Sequence, residues 1–322
     1  MDNLLSYLRI LKIGATKTYF PIFAQYLHSK DGWLSTYNLD VYIRVRFPAI
    51  FEGDINIYTL EKTISALRGD SAEYNTYGNT LQISCGTLVT KLMLEDMEFP
   101  SMEEPVGETT IITEEAYEVI EEAMKYVGGE YPYVIVSNGI YSTNGSKAYY
   151  NNTKCNLTVP ISKEVFALLS VGDEVGVEGT NTFIKFSNIE GFALFNLFDS
   201  STYPTVQIRD TVATDTWRVC NIAPILDAVS KVTSISYGEE VKGVTISCED
   251  EMLRVEAESA MQGESVYTIS APDSPNFSIY INANFFNRIP LSYDLYVSGM
   301  GELNKIFLRN EKTTMIFMGL II

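Results

Sequence analysis

The sequence predicts an α+β chain of three tandem domains, each built of β-sheets with two short helices. Three observations carry this. The chain has 322 residues, room for two or three domains that each bury a core. It is 46% hydrophobic and only 20% charged, with 21 Tyr and 16 Phe, too apolar and aromatic for disorder and rich in strand formers. An order of helix, strands, helix, strands also occurs three times, over 1–108, 109–210 and 211–322. A repeat of about 105 to 110 residues means tandem domains rather than a solenoid.

In the first segment, Leu4, Leu8 and Leu11 share one helical face. Strand-like runs follow at 22–27, 33–37 and 42–47, then a helical piece, TLEKTISALRG, with Gly69 in the place of a C-cap. Runs at 73–77, 80–85 and 88–94 end at Phe99-Pro100. After the acidic stretch SMEEPVGE, Thr113 stands as an N-cap. Ala116, Val119, Ile120, Ala123, Met124 and Val127 then have the spacing of a buried helical stripe. The strands YPYVIVSNGIYS, KAYYN and LTVPI, the helix SKEVFALLS, and runs near Val175, Phe183 and Phe192 lead to Tyr203-Pro204, 104 residues beyond the first aromatic-Pro closure. The third segment has a helix over 222–231, strands near Val244, Met252 and Val266, a helix over 284–288, and strands from Leu295, Ile306 and Met315.

The net charge, 23 − 41 = −18, excludes a generally basic nucleic-acid coat, so phosphate contact needs a local basic surface. The opening MDNLLSYLRILKIG lacks a signal peptide's basic head and unbroken apolar run, and no stretch reaches the ~18 apolar residues of a membrane span. Cys85, Cys155, Cys220 and Cys248 lie far apart without metal-ligand spacing and read as reduced thiols in a cytosol. No cofactor fingerprint or Walker loop is present, and the Gly128-Gly129 pair suits a helix C-terminus. The single histidine, His28, lies in a strand-like run and reads as structural. The acidic pairs Glu103-Glu104, Glu114-Glu115 and Glu121-Glu122 read as a solvated face rather than a cation site, because adjacent helical residues point apart. A hydrolase using two carboxylates would look similar and stays open.

The repeat and several local strings resemble the bacterial-type DNA sliding clamp, the β subunit family of DNA polymerase III. LSTYNLDVYIRV places Thr36, Asn38, Leu39 and Asp40 against the family's first-domain "TDLE" string, with Tyr37 inserted. Thr143, Asn144, Gly145, Ser146, Lys147 and Ala148 stand against its second-domain "TDGHRL", keeping the Thr, the Gly and a basic residue in register. LTVPISKEVFALL resembles its strand-Pro-helix passage, EFP and TYP its domain ends, and MIFMGLII its apolar tail. The resemblance spans the chain, and its divergence points to a phage-encoded member.

The resemblance implies a clamp fold that closes as a head-to-tail homodimeric ring around duplex DNA, in a bacterial cytosol. It implies a non-enzymatic processivity factor without metal or cofactor, tethering the polymerase and meeting the clamp loader through short linear peptide motifs. DNA contact would be sequence-independent and electrostatic, with Arg9, Lys12, Lys17, Lys62, Arg68, Lys125, Lys163, Lys231 and Arg288 as the candidate cations. The helix over 113–127 sets Glu114, Glu115, Glu118, Glu121 and Glu122 against Lys125, and would repel phosphate if it faced DNA. The middle segment is poorest in cations, with 6 basic and 13 acidic residues against 9 and 14 and 8 and 14 in its neighbours. Peptides would enter a pocket formed by Val134, Thr143, Gly145, Ala148, Ile316, Met318 and Leu320. Two alternatives stay open: a clamp-fold interaction protein that does not encircle DNA, and an unrelated β-rich enzyme or binding protein.

Overall fold

The computed structural model describes residues 2–17, 21–48, 50–67, 72–196, 202–234, 243–259, 263–287, 289–298 and 305–319. The chain divides into two compact units, 1–118 with 156–201, and 119–155 with 202–322.

In the first unit, helix α1 (Asp2–Leu11) buries Leu4, Leu8 and Leu11, as its periodicity requires. The run from Ile22 is not a strand at first. Pro21 is extended and its carbonyl accepts from Ala24 N, which winds Ile22–Gln25 into a 3-10 turn before β1 (Tyr26–Lys30) begins. Asp31 and Gly32, both at positive φ, make the two-residue turn into β2 (Trp33–Tyr37), and β3 (Val41–Arg46) follows. β4 (Gly53–Asn56) pairs with β1. Asn56 then caps α2 (Ile57–Ala66), which buries Ile57, Leu60 and Ile64. Gly69, expected at its C-cap, and Arg68 lie outside the described residues. β5 (Glu73–Tyr77), β6 (Thr80–Cys85) and β7 (Leu88–Met93) form a small sheet of their own.

β8 (Thr109–Ile111) precedes α3 (Glu114–Ala123), within which the division of the chain falls. β12 (Val159–Ser162), with Ser162 capping α4 (Lys163–Leu168), and the meander β13 (Glu174–Glu178), β14 (Asn181–Lys185) and β15 (Gly191–Asn196) complete the first unit. Its main sheet has the order β4-β1-β2-β3-β15-β14-β13-β8. The ladder between β15 and β3 runs from Gly191 opposite Val45 to Phe195 opposite Val41.

The second unit holds β9 (Tyr133–Ser137), β10 (Gly139–Thr143) and β11 (Lys147–Asn151). Helix α5 (Thr205–Val212), β16 (Thr216–Asn221) and α6 (Ile222–Thr233) come next. α6 is capped by Asn221 and packs on a four-stranded sheet, β19-β18-β17-β20, formed by β17 (Val244–Glu249), β18 (Met252–Ser259), β19 (Gly263–Ser270) and β20 (Phe277–Ile281). The helix expected over 284–288 is a single 3-10 turn, Ala283–Phe286, started by the Asn282 side chain on Asn284 N; Arg288 lies outside the described residues. β21 (Asp294–Ser298), β22 (Lys305–Arg309) and β23 (Thr313–Met318) end the unit. They join β11 in the order β9-β10-β11-β23-β22-β21-β16.

One joint recurs. In each main sheet the third strand of one meander pairs antiparallel with the third strand of another, β3 with β15 and β11 with β23. The two small sheets are such halves unjoined: among the described residues, β7 pairs only with β6 and β19 only with β18. Segment 109–210 supplies strands to both main sheets.

Candidate peptide-binding cleft

A cleft of about 170 Å³ lies on the face of the second unit's main sheet that carries α5. Thr143, Gly145, Lys147, Ala148, Gln207, Ile208, Thr211, Lys305, Ile316 and Met318 line it. The β10–β11 turn forms its lip. Asn144 Oδ1 accepts from the backbone of Ser146 and Lys147 at 3.1 and 2.9 Å, while Thr143 Oγ1 donates to Lys147 O at 2.8 Å and accepts from Gly145 N at 3.0 Å. Gly145 takes φ +89 with open space where a Cβ would stand, so ligand backbone has free approach there. The floor is a ladder in which Ala148 faces Ile316, with Met318 opposite Lys305 on the next strand. Below lies a tyrosine-rich core of Tyr133, Ile135, Tyr141, Tyr203, Ile208, Phe307 and Ile316.

In a chain of net charge −18, no carboxylate among the described residues lines this cleft. Lys147 Nζ reaches Lys125 O at 3.2 Å and lies 4.8 Å from the centre of the Tyr126 ring, and burial lowers its pKa below the ordinary lysine value. The arrangement suits a short apolar side chain entering over Ala148 and Ile316, with amide and ammonium groups at the rim.

Five of the seven expected pocket residues, Thr143, Gly145, Ala148, Ile316 and Met318, line the cleft. Val134 does not: it is fully buried in β9. Leu320 lies outside the described residues. Sequence reasoning missed the whole α5 wall, Gln207, Ile208 and Thr211, together with Lys305.

Among the expected DNA-facing cations, Arg9, Lys17, Lys62 and Lys163 are exposed. Three others hold carboxylates: Lys12 pairs with Glu61 at 2.7 Å, Lys125 with Glu122, and Lys231 with Asp227 at 2.6 Å. Of the acidic face on α3, Glu114, Glu115, Glu118 and Glu121 are exposed. Among the described residues no group of three His, Cys, Asp or Glu gathers to hold a metal ion, and no helix is long and apolar enough to cross a membrane.

The corresponding position of the first unit is filled. There Tyr42, not an alanine, faces Leu194 across the joint, and Tyr37, Phe99 and Met102 pack over Tyr42, Phe183, Phe192 and Leu194. His28 belongs to this closure: its Nδ1 meets buried Asp54 Oδ1 at 2.8 Å and its ring stacks on Phe99 at 4.8 Å, while Asp54 Oδ2 accepts from Met97 N at 2.8 Å. His28 thus fastens the strap over 95–99 to the sheet, beside an open polar cleft of about 730 Å³. All four cysteines are free thiols; Cys85 and Cys248 are buried and Cys155 and Cys220 half-buried.

This architecture is that of the bacterial DNA polymerase III β clamp. The chain is similar to the subunit from Pseudomonas aeruginosa (TM-score 0.80, 14% identity, 99% of this chain and 98% of that one). It is also similar to the DNA polymerase sliding clamp of Bacillus subtilis (0.79, 15%, 100% and 97%) and to the Helicobacter pylori β clamp bound to a DNA ligase peptide (0.76, 15%, 100% and 98%). At such identities the likeness is one of fold. No protein-family model and no curated protein sequence matches the chain.

Proposed function

We propose that this protein is a sliding clamp, a processivity factor whose three domains, 1–108, 109–210 and 211–322, close with those of a second copy into a ring around duplex DNA. The recurring joint carries the reading. β7 is the end of the kind of half-sheet that β15 and β23 terminate, and β19 the end of the kind that β3 and β11 terminate. The unjoined edges are therefore complementary, and pairing β7 of one copy with β19 of the next leaves neither open. Their exposed residues suit a joint: Leu88, Val89 and Met93 on β7, Val266 on β19, with Lys91 and Glu264 opposite in charge.

DNA is held through phosphate by the exposed Arg9, Lys17, Lys62 and Lys163, without base readout. Replication partners, a polymerase and a clamp loader, insert an apolar peptide anchor into the cleft over Ala148 and Ile316; that the similar Helicobacter pylori clamp is bound to a DNA ligase peptide supports a peptide ligand. The role is one of binding rather than catalysis, in a bacterial cytosol that a phage-encoded clamp would share. The test is retention on DNA after loading: the protein should stay on a closed circle through a high-salt wash and leave once the circle is cut. Equal loss from both would refute encirclement.

A further inference from the structure

Helix α5, which supplies one wall of the cleft, is weakly held by its own sequence. It has eight residues, about 12 Å of helix, too few to stand alone. Pro204 at its N-cap offers no capping side chain. Ile208 is its only buried residue, and Val206 is 52% exposed. What fixes the other end is Arg309, the last residue of β22. Its guanidinium donates to Val212 O at 2.7 Å and to Thr216 Oγ1 at 2.9 Å, and lies over Phe307 and Tyr296 at 5.1 and 5.5 Å from the ring centres. A cation on the last carbonyls of a helix also complements the helix dipole.

Arg309 does this at a cost. Asp294 lies directly across the ladder but is taken by Arg218 in a two-pronged pair at 2.9 and 3.2 Å, and no carboxylate among the described residues pairs with Arg309. Its Nε is buried without a partner among the described residues, and desolvation lowers its pKa below the ordinary arginine value. A half-buried, uncompensated guanidinium is an expensive way to fill space, and an apolar side chain would pack on Phe307 and Tyr296 without the charge. The bond to α5, at Val212 O, and the one to Thr216 just beyond it are what the charge supplies.

We propose that Arg309 is the positioning residue of the cleft, fixing through Val212 how closely Ile208 and Thr211 stand to Ile316 and Met318. It touches no ligand and sets the width of the slot into which the ligand's apolar anchor fits. The inference rests on the cleft being a peptide site, and the experiment separates the two.

Hydrogen exchange of the full-length protein is followed in Arg309→Met, which keeps the stem on the two rings, and in Arg309→Lys, which keeps the charge and one donor. Loss of one charge-assisted hydrogen bond should speed exchange of the α5 amides about tenfold in the Met variant, less in the Lys variant, with β21 and β23 unchanged. Binding of a panel of short peptides with two apolar anchors, the DNA ligase peptide of the Helicobacter pylori complex among them, should weaken in the same order. Unchanged α5 exchange in Arg309→Met, or β21 and β23 quickening equally, would overturn the positioning role. Absence of any peptide binding by the wild-type protein would overturn the peptide reading alone, because exchange still decides the role of Arg309.

Discussion

Replacing Ala148 by Tyr should close the cleft without disturbing the fold. Ala148 faces Ile316, and Tyr42 takes the same ladder position in the first unit, facing Leu194, where aromatic packing fills the space. The equivalent strand of the first unit thus carries a tyrosine there, and tyrosine favours strands. A cleft of about 170 Å³ holds little more than one side chain, so the new ring excludes the incoming anchor. An apolar side chain buried in such a slot contributes about 1.5–3 kcal/mol. Its exclusion should therefore weaken peptide binding about 10- to 150-fold, at 1.4 kcal/mol per factor of ten. The assay is fluorescence anisotropy of a labelled peptide that binds the wild-type protein, with Ala148→Ser as a control that leaves the slot open. A tyrosine variant that melts with the wild type and binds equally well would refute the placement of the anchor over Ala148.

Met318 and Ile316 should separate wall from core. Ile316 is 3% exposed, so Ile316→Ala should cost about 2–5 kcal/mol of stability, whereas Met318→Ala should weaken peptide binding with little change in melting; thermal scans beside anisotropy check both. Replacing exposed Arg9 and Lys62 together by Ala should lower the slope of log affinity against log salt by up to about two units on any DNA sequence, read by filter binding or anisotropy. Lys12→Ala should do less, since Lys12 already holds Glu61. Asp294 titrates below its ordinary value, first because it accepts hydrogen bonds from Arg218 and then because of the charge. Its stabilising effect is therefore full above the unfolded aspartate pKa of about 4 and fades as pH falls through the lower folded value. Asp294→Asn should flatten that acid limb in melts taken from pH 6 to pH 2.

The helices with one apolar stripe were legible because their periodicity is local: Leu4, Leu8 and Leu11 in α1, and Ala116, Ile120 and Ala123 in α3, are buried as their spacing requires. The β10–β11 lip was legible because a tight turn needs a residue such as Gly145 at positive φ. α5 was not, because TVQIRDTV buries one residue and has no cap, and its helix comes from tertiary contacts at Ile208 and Arg309. Pairs such as Lys12 with Glu61, 49 residues apart, and the Tyr42-for-Ala148 exchange between the joints need three dimensions to be seen. The run from Ile22 reads as a strand, and Pro21 diverts the backbone into a 3-10 turn first.

The mass of the protein in solution tests the ring most directly. One chain is 36.1 kDa, so light scattering on the column-purified protein should give 2 × 36.1 = 72.2 kDa if β7 of each copy pairs with β19 of the other. A mass of 36.1 kDa at micromolar concentration would leave both edges open and contradict closure by strand pairing.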